Sequence, residues 1–205
     1  MDPAAALARL GGVATSGELL GLTTRRRLRR AVDSGEVHPV GRGRFVLPVV
    51  DGAVCAAADL GAVLCLRSAA LRHGWSVKTV PPVPELAVPR HRRIQACRRE
   101  GVRVVWTDLT PDDLHAGATG PLRTIVDCAR RLPFDEALAI VDSALRAGNV
   151  TRDELVALRV RGAGAAAVRR VLTAADGRAA NPFESVLRAL CLEEEIGRAS
   201  CRERV

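Results

Sequence analysis

The sequence predicts an α+β protein, and three observations carry that reading. An arginine-rich amphipathic helix near the N-terminus is followed by two short extended runs; two β-rich runs flank a basic stretch after a proline-rich segment; and amphipathic helical stripes recur from residue 121 onward. At 205 residues the chain holds one large or two small domains, and its 48% hydrophobic content excludes wholesale disorder. The expected parts are an N-terminal domain over 1–50, a mixed, mostly helical middle domain over 51–178, the first helix of a further domain over 179–195, and a tail over 196–205.

Residues 2–10 place Leu7 and Leu10 three apart, as one helical face requires, and after Gly11-Gly12 a second helix over 15–20 opens on Thr15 or Ser16 as N-cap. Gly21-Leu22-Thr23 then makes a short turn. In the next helix, at about 100° per residue, Arg25, Arg26, Arg29 and Arg30 fall within an arc of roughly 140°, with Leu28, Ala31 and Val32 opposite. One face can meet phosphate while the other packs. Ser34-Gly35 stops this helix, because glycine accepts the positive φ of a helix end. Residues 36–39 and 44–47 are extended runs joined by Val40-Gly41-Arg42-Gly43, a glycine-rich tip carrying a cation.

Helix, helix, turn, basic helix and hairpin in this order predict a winged helix-turn-helix, whose third helix enters the major groove of double-stranded DNA while the wing touches backbone. Arginine suits both tasks because its planar fork donates two parallel hydrogen bonds to guanine or phosphate. The candidate DNA-binding residues are Thr24, Arg25, Arg26 and Arg29 at the groove, Arg30 at the backbone, and Arg42 and Arg44 on the wing. Lys78 is the only lysine, so an arginine cluster also reads as a solvated helix face. The turn, the hairpin and its basic tip favour nucleic acid. Charge distribution agrees. The net charge is +8, and residues 1–50 carry eight arginines against four acids, whereas residues 121–195 balance eleven against eleven. An excess of cations draws polyanions through counterion release.

Residues 53–60 and 66–72 read as helices, the second ending at His73-Gly74-Trp75. Val80-Pro81-Pro82-Val83-Pro84 cannot be helical, and 85–88 and 102–106 are β-rich. Between them Arg90, Arg92, Arg93, Arg98 and Arg99 read equally as a phosphate-contacting surface or a solvated loop. After a loop over 117–120, Pro121 starts a helix with the stripe Leu122, Ile125, Val126, Ala129 and Leu132, and Phe134, Ala137, Leu138, Val141 and Leu145 mark the next. Thr151 with Glu154 forms a capping box, and Asn181-Pro182 opens a final helix.

Other chemistry is weakly signalled. The six cysteines show no C-x-x-C pair and read as buried thiols, and His38, His73, His91 and His115 are scattered. Gly162-Ala163-Gly164-Ala165-Ala166-Ala167 fits G-x-G-x-x-A but follows a helix-like segment, so it reads as a linker between helices. The N-terminus lacks a basic n-region, and the longest apolar tract is interrupted by Asp59, so no membrane contact and a cytoplasmic location are expected.

Arg67-Ser68-Ala69-Ala70-Leu71 with His73-Gly74, and Gly120-Pro121-Leu122-Arg123-Thr124-Ile125-Val126-Asp127-Cys128-Ala129-Arg130, together with the hairpin, resemble a group of actinobacterial proteins over about residues 5–195. The N-terminus of that group is similar to the winged helix of AbiEi-type (type IV) antitoxins, which implies a toxin as protein partner and a repressor role. In many of them a small domain related to very-short-patch-repair endonucleases follows, and Asn181-Pro182-Phe183-Glu184-Ser185-Val186-Leu187-Arg188 is similar to its opening helix. Cys65-Leu66 departs from the Ser-His pair more usual there.

The resemblance implies that Glu184 is the helix carboxylate of a Mg²⁺ site in an intact parent enzyme. One carboxylate cannot hold the ion; two or three are needed, no Asp/Glu-x-Lys occurs, and about twenty residues remain after Glu184. As it stands the chain is expected to bind no cofactor and to catalyse nothing, and Glu184 reads more simply as a first-turn residue favoured by the helix dipole. The segment Glu195-Ile196-Gly197-Arg198-Ala199-Ser200-Cys201-Arg202-Glu203-Arg204-Val205 has a permitted codon choice resembling a sequencing-library adapter read in frame, so an artefactual tail is expected.

Overall fold

The structure is a computed structural model that describes residues 1–40, 43–48 and 51–194. It is α+β: the described residues form eleven α-helices and two three-stranded sheets. By contacts the chain groups into two units, residues 1–64 with 83–118, and residues 65–82 with 119 onward.

The first unit opens with α1 (Pro3–Arg9), whose N-cap Asp2 accepts a hydrogen bond from the Ala5 amide at 3.0 Å. β1 (Val13–Thr15), α2 (Ser16–Leu20), α3 (Arg25–Asp33), β2 (His38–Val40) and β3 (Arg44–Val46) follow. β1 was not expected from the sequence, since three residues after two positive-φ glycines are too few to display alternation. It pairs antiparallel with β3, Val13 opposite Val46, and gives the sheet order β1-β3-β2. Pro39, which lacks an N–H, sits on the edge strand β2, where that loss is tolerated. Ala6, Leu7, Ala14, Leu19, Leu28, Ala31 and Val37 form a buried cluster with Phe45 and Leu47 packed against it.

α4 (Gly52–Leu60) packs on β2 and β3. A second sheet, β4 (Val63–Leu64), β5 (Glu85–Pro89) and β6 (Arg103–Thr107), has β4 antiparallel and β6 parallel to β5. The fully buried Glu85 receives Arg103 at 2.9 Å, the pairing that burial of a carboxylate demands. The basic stretch before β6 contains a 3-10 turn (Ala96–Arg99) in place of a plain loop.

In the second unit α5 (Leu66–Arg72), α7 (Pro121–Arg131), α9 (Arg152–Ala157) and α10 (Ala165–Ala174) accompany α8 (Phe134–Arg146), whose residues 137–144 are all buried. α7, α10 and α11 (Pro182–Glu193) pack on α8. The expected capping box at Thr151 and Glu154 is formed. One expectation fails: residues 162–167 are not all linker, because Gly164, at φ 74°, caps α10, which starts at Ala165. A Cβ there would lie 3.3 Å from the Arg130 Cγ, so that glycine also permits a close approach. α6 (Pro111–Ala116) of the first unit was likewise unannounced, although Thr110 and Asp113 cap it as a reciprocal pair.

Asp142 on α8 is fully buried and takes the Asp176 amide at 2.7 Å and the Arg188 guanidinium of α11 at 2.5 Å. Several arginines of this unit are spent on backbone carbonyls. Arg130 reaches that of Arg161, between α9 and α10, at 3.0 Å, and at the end of α10 Arg152 donates to the carbonyls of Leu172, Ala175 and Thr173 at 2.9, 3.0 and 3.3 Å. Carbonyls at a helix end lack intrahelical donors, and a guanidinium supplies them. Of the thiols expected to be buried, Cys65 and Cys128 are, Cys55 and Cys191 are half-buried, and Cys97 is exposed.

Candidate nucleic-acid interface

α3 begins at Arg25 because Thr24, in extended conformation, caps it: its side-chain oxygen accepts the Arg27 amide at 3.4 Å. Leu28 and Ala31, 6% and 4% exposed, enter the buried cluster. Arg25, Arg26, Arg27, Arg29 and Arg30 are all exposed, and among the described residues none of these guanidiniums forms an ion pair or hydrogen bond. Arg25, Arg26, Arg29 and Arg30 therefore share one ridge, with Thr24 at its N-terminal end as the cap. At about 100° steps Asp33 falls inside the same arc, which sequence reasoning overlooked; it ends the ridge with an opposite charge.

The ridge has two flanks. On one, Arg25 and Arg29 border a cleft of about 370 Å³ floored by Leu20, Leu28, Val32 and Phe45. On the other, Arg27 and Arg30 border a wider cleft of about 660 Å³ with Asp2, Ser34 and Glu36. Arg27, set aside by the arc argument, thus extends the cationic surface.

The hairpin is fixed to α2. The Gly43 carbonyl accepts the Ser16 amide at 2.7 Å and its hydroxyl at 2.9 Å, while Gly43 holds φ 69°. Arg42 lies outside the described residues. Arg44 is half-buried at the start of β3, and its neighbour Phe45 lines the cleft beside α3. The Glu18 carboxyl is held below the usual range by the Thr15 amide and then the Thr15 hydroxyl, with His115 and Arg44 adding field against a burial penalty.

Glu184 takes part in capping α11. Its carboxylate accepts the Ala180 amide at 2.8 Å and the Asn181 side-chain amide at 3.2 Å, while Asn181 accepts the Glu184 amide at 3.1 Å. It is a helix-start residue, and no group of three or more His, Cys, Asp or Glu able to hold a metal occurs among the described residues. None of the described helices is long and apolar enough to cross a membrane.

In the second unit the two segments singled out by their sequence meet. His73 Nε2 lies 2.8 Å from the Thr119 carbonyl, which can only accept, so that nitrogen carries the proton; the Thr119 and Thr124 hydroxyls are 2.7 Å apart in a buried pair. Arg67 pairs with Glu136 at 3.3 Å. Leu66 sits at φ 49°, costing a bulky residue about 1–3 kcal/mol, at the position where the Ser-His pair was looked for.

These segments carry the kinship. The AbiEi antitoxin C-terminal domain matches residues 62–173, over half of the chain, and the chain belongs to that antitoxin family. The match falls on the stretch containing Arg67 and Gly120, rather than on the N-terminal helices through which the resemblance to these antitoxins was first read. The uncharacterized proteins Rv2248 and MT2308 of two Mycobacterium tuberculosis strains are each 30% identical over 149 residues, covering 66% of this chain and 50% of theirs. The chain thus spans about half the length of the curated relatives it matches. The crystal structure of Rv2827c from Mycobacterium tuberculosis is similar at a TM-score of 0.44 and 16% identity, covering 91% of this chain and 80% of that one.

Proposed function

We propose that residues 1–50 are a winged helix-turn-helix through which the chain binds double-stranded DNA, as a regulator or targeting module. The carrying observation is the α3 ridge: five exposed arginines with no ion pair among the described residues, on a helix whose other face is anchored by Leu28 and Ala31. Arg25, Arg26 and Arg29 meet the groove with Thr24 beside them, Arg30 the backbone, and the hairpin with Arg42 and Arg44 the flanking phosphates. Membership in an antitoxin family favours a repressor whose second unit binds a toxin protein, in the cytoplasm.

Fluorescence anisotropy with duplex DNA over a salt series tests this. Wild-type affinity should fall steeply with salt, and Arg26→Gln with Arg29→Gln should reduce the log–log slope by about two units. An unchanged slope removes the proposal.

A second reading is that the parent is a DNA-cleaving enzyme of which this is the targeting half. It is favoured by α11, where Phe183, Leu187 and Leu190, four and three residues apart, are 84%, 63% and 47% exposed, an apolar stripe suited to further polypeptide. Residues 195–205, the expected tail, lie outside the described residues. Among the described residues no cluster of acids fits Mg²⁺. Resequencing the locus past codon 195 decides: a nuclease parent should supply further acids on strands, and an adapter origin should disappear from an independent read.

A further inference from the structure

Resting on the DNA-binding reading above, we propose that the segment between β5 and β6 carries a second DNA contact, in which Arg93 and Arg99 bind backbone phosphates flanking the segment held by α3. Residues 90–103 hold six arginines against one acid, Glu100. The structure divides these arginines by task. Arg92 donates to the Gly61 carbonyl, and Arg98 to the Asp59 carbonyl and carboxylate at 3.0 and 2.8 Å. Both clamp the C-terminal end of α4 by satisfying groups a helix end leaves open. Arg90 pairs with Asp108 at 3.0 Å, and Arg103 with buried Glu85. Arg93 and Arg99 remain, exposed and without an ion pair among the described residues.

Arg99 is presented rather than loose. The Arg99 guanidinium lies over the Trp106 ring, 5.8 Å from its centroid, and the indole N–H donates to the Arg92 carbonyl at 3.0 Å. Trp106 therefore ties the segment's two ends and restrains Arg99, so less rotamer freedom is lost when a phosphate binds. Arg93 stands at a cleft of about 440 Å³ shared with Leu60, Arg92, Ile94, Gln95 and Arg98. Asp59, the acid of the clamp, is already engaged by Arg98. Because the clamps grip α4 and α4 packs on the hairpin strands β2 and β3, the segment belongs to the same body as the hairpin. α4, with nine residues, is roughly 13 Å long, and the clamps that hold the segment grip its C-terminal end. A polyanion longer than the α3 footprint, namely duplex DNA, is the partner such spaced cations fit; an acidic protein surface is the rival occupant.

The test uses the full chain and random-sequence duplexes of about 12 and about 30 base pairs, titrated by anisotropy over a salt series. Arg93→Gln with Arg99→Gln should lower the salt slope on the long duplex by about two units, and the affinity there on the order of tenfold, while leaving the short duplex unchanged. Circular dichroism should show both exposed-site variants folded. An unchanged slope in this variant, with the Arg26→Gln/Arg29→Gln variant weakened on both duplexes, overturns the second contact and leaves α3 standing. Unchanged slopes in both variants overturn the DNA-binding reading as well.

Discussion

Arg25, Arg26, Arg29 and Arg30 on α3 extend into solvent with no ion pair among the described residues, whereas Arg188 on α11 reaches the fully buried Asp142 and Arg152 caps the end of α10. The residue type is the same, and so is its abundance along the chain. What differs is the neighbourhood: α3 puts its arginines on the face away from Leu28, while α11 turns Arg188 toward an ion that has lost its water. A guanidinium opposite a buried carboxylate is a structural element, and one with nothing opposite it is available to a partner. The segment between β5 and β6 holds both kinds within ten residues, Arg92 and Arg98 committed and Arg93 and Arg99 not.

Removing a committed arginine should have the largest effect. Arg188→Ala leaves Asp142 buried with only the Asp176 amide, and should cost about 3 kcal/mol of stability in urea melts, whereas Arg26→Gln with Arg29→Gln should stay within about 0.5 kcal/mol of wild type. If the α3 variant is the one that melts early, the contrast between the two regions is wrong. Leu28→Ala attacks the anchor beneath the ridge; a loss of about 2–4 kcal/mol, together with weaker duplex binding, is expected because the arginines lose their platform. Stability loss with wild-type binding would mean that the ridge does not need its helix.

The smallest effect concerns Asp176. Hydrogen bonds from the Arg178 guanidinium, then from the Arg178 amide, hold its carboxyl down from 3.8 to about 2. A carboxyl with a lowered folded value stabilises above its unfolded value and loses that contribution as pH falls through the folded one. Asp176→Asn should therefore lower the melting temperature slightly above pH 3.8, and the gap should close toward pH 2. Arg178 is 91% exposed, so screening keeps the effect small. A gap that persists at pH 2 would assign it to something other than this ionisation.

Local signals were legible wherever a residue type dictates its own backbone. Pro121, Asn181-Pro182 and the Thr151–Glu154 box start the helices they were expected to start, and the hairpin runs lie where the glycines allow. The same rules missed β1 and β4, whose three and two residues carry no periodicity, and took the first residues of α10 for linker because alanine-glycine composition resembles one. In the candidate site the ridge was legible from angular spacing, but the half-burial of Arg44 was not, because it depends on how β3 packs.

By itself, then, the sequence determined the arginine helix and its opposed apolar face, because helix geometry converts spacing into faces without outside help. Only the tertiary structure decided which arginines are free. Ion pairing depends on distance and burial, and partners such as Asp142 with Arg188, or Asp59 with Arg98, lie 46 and 39 residues apart.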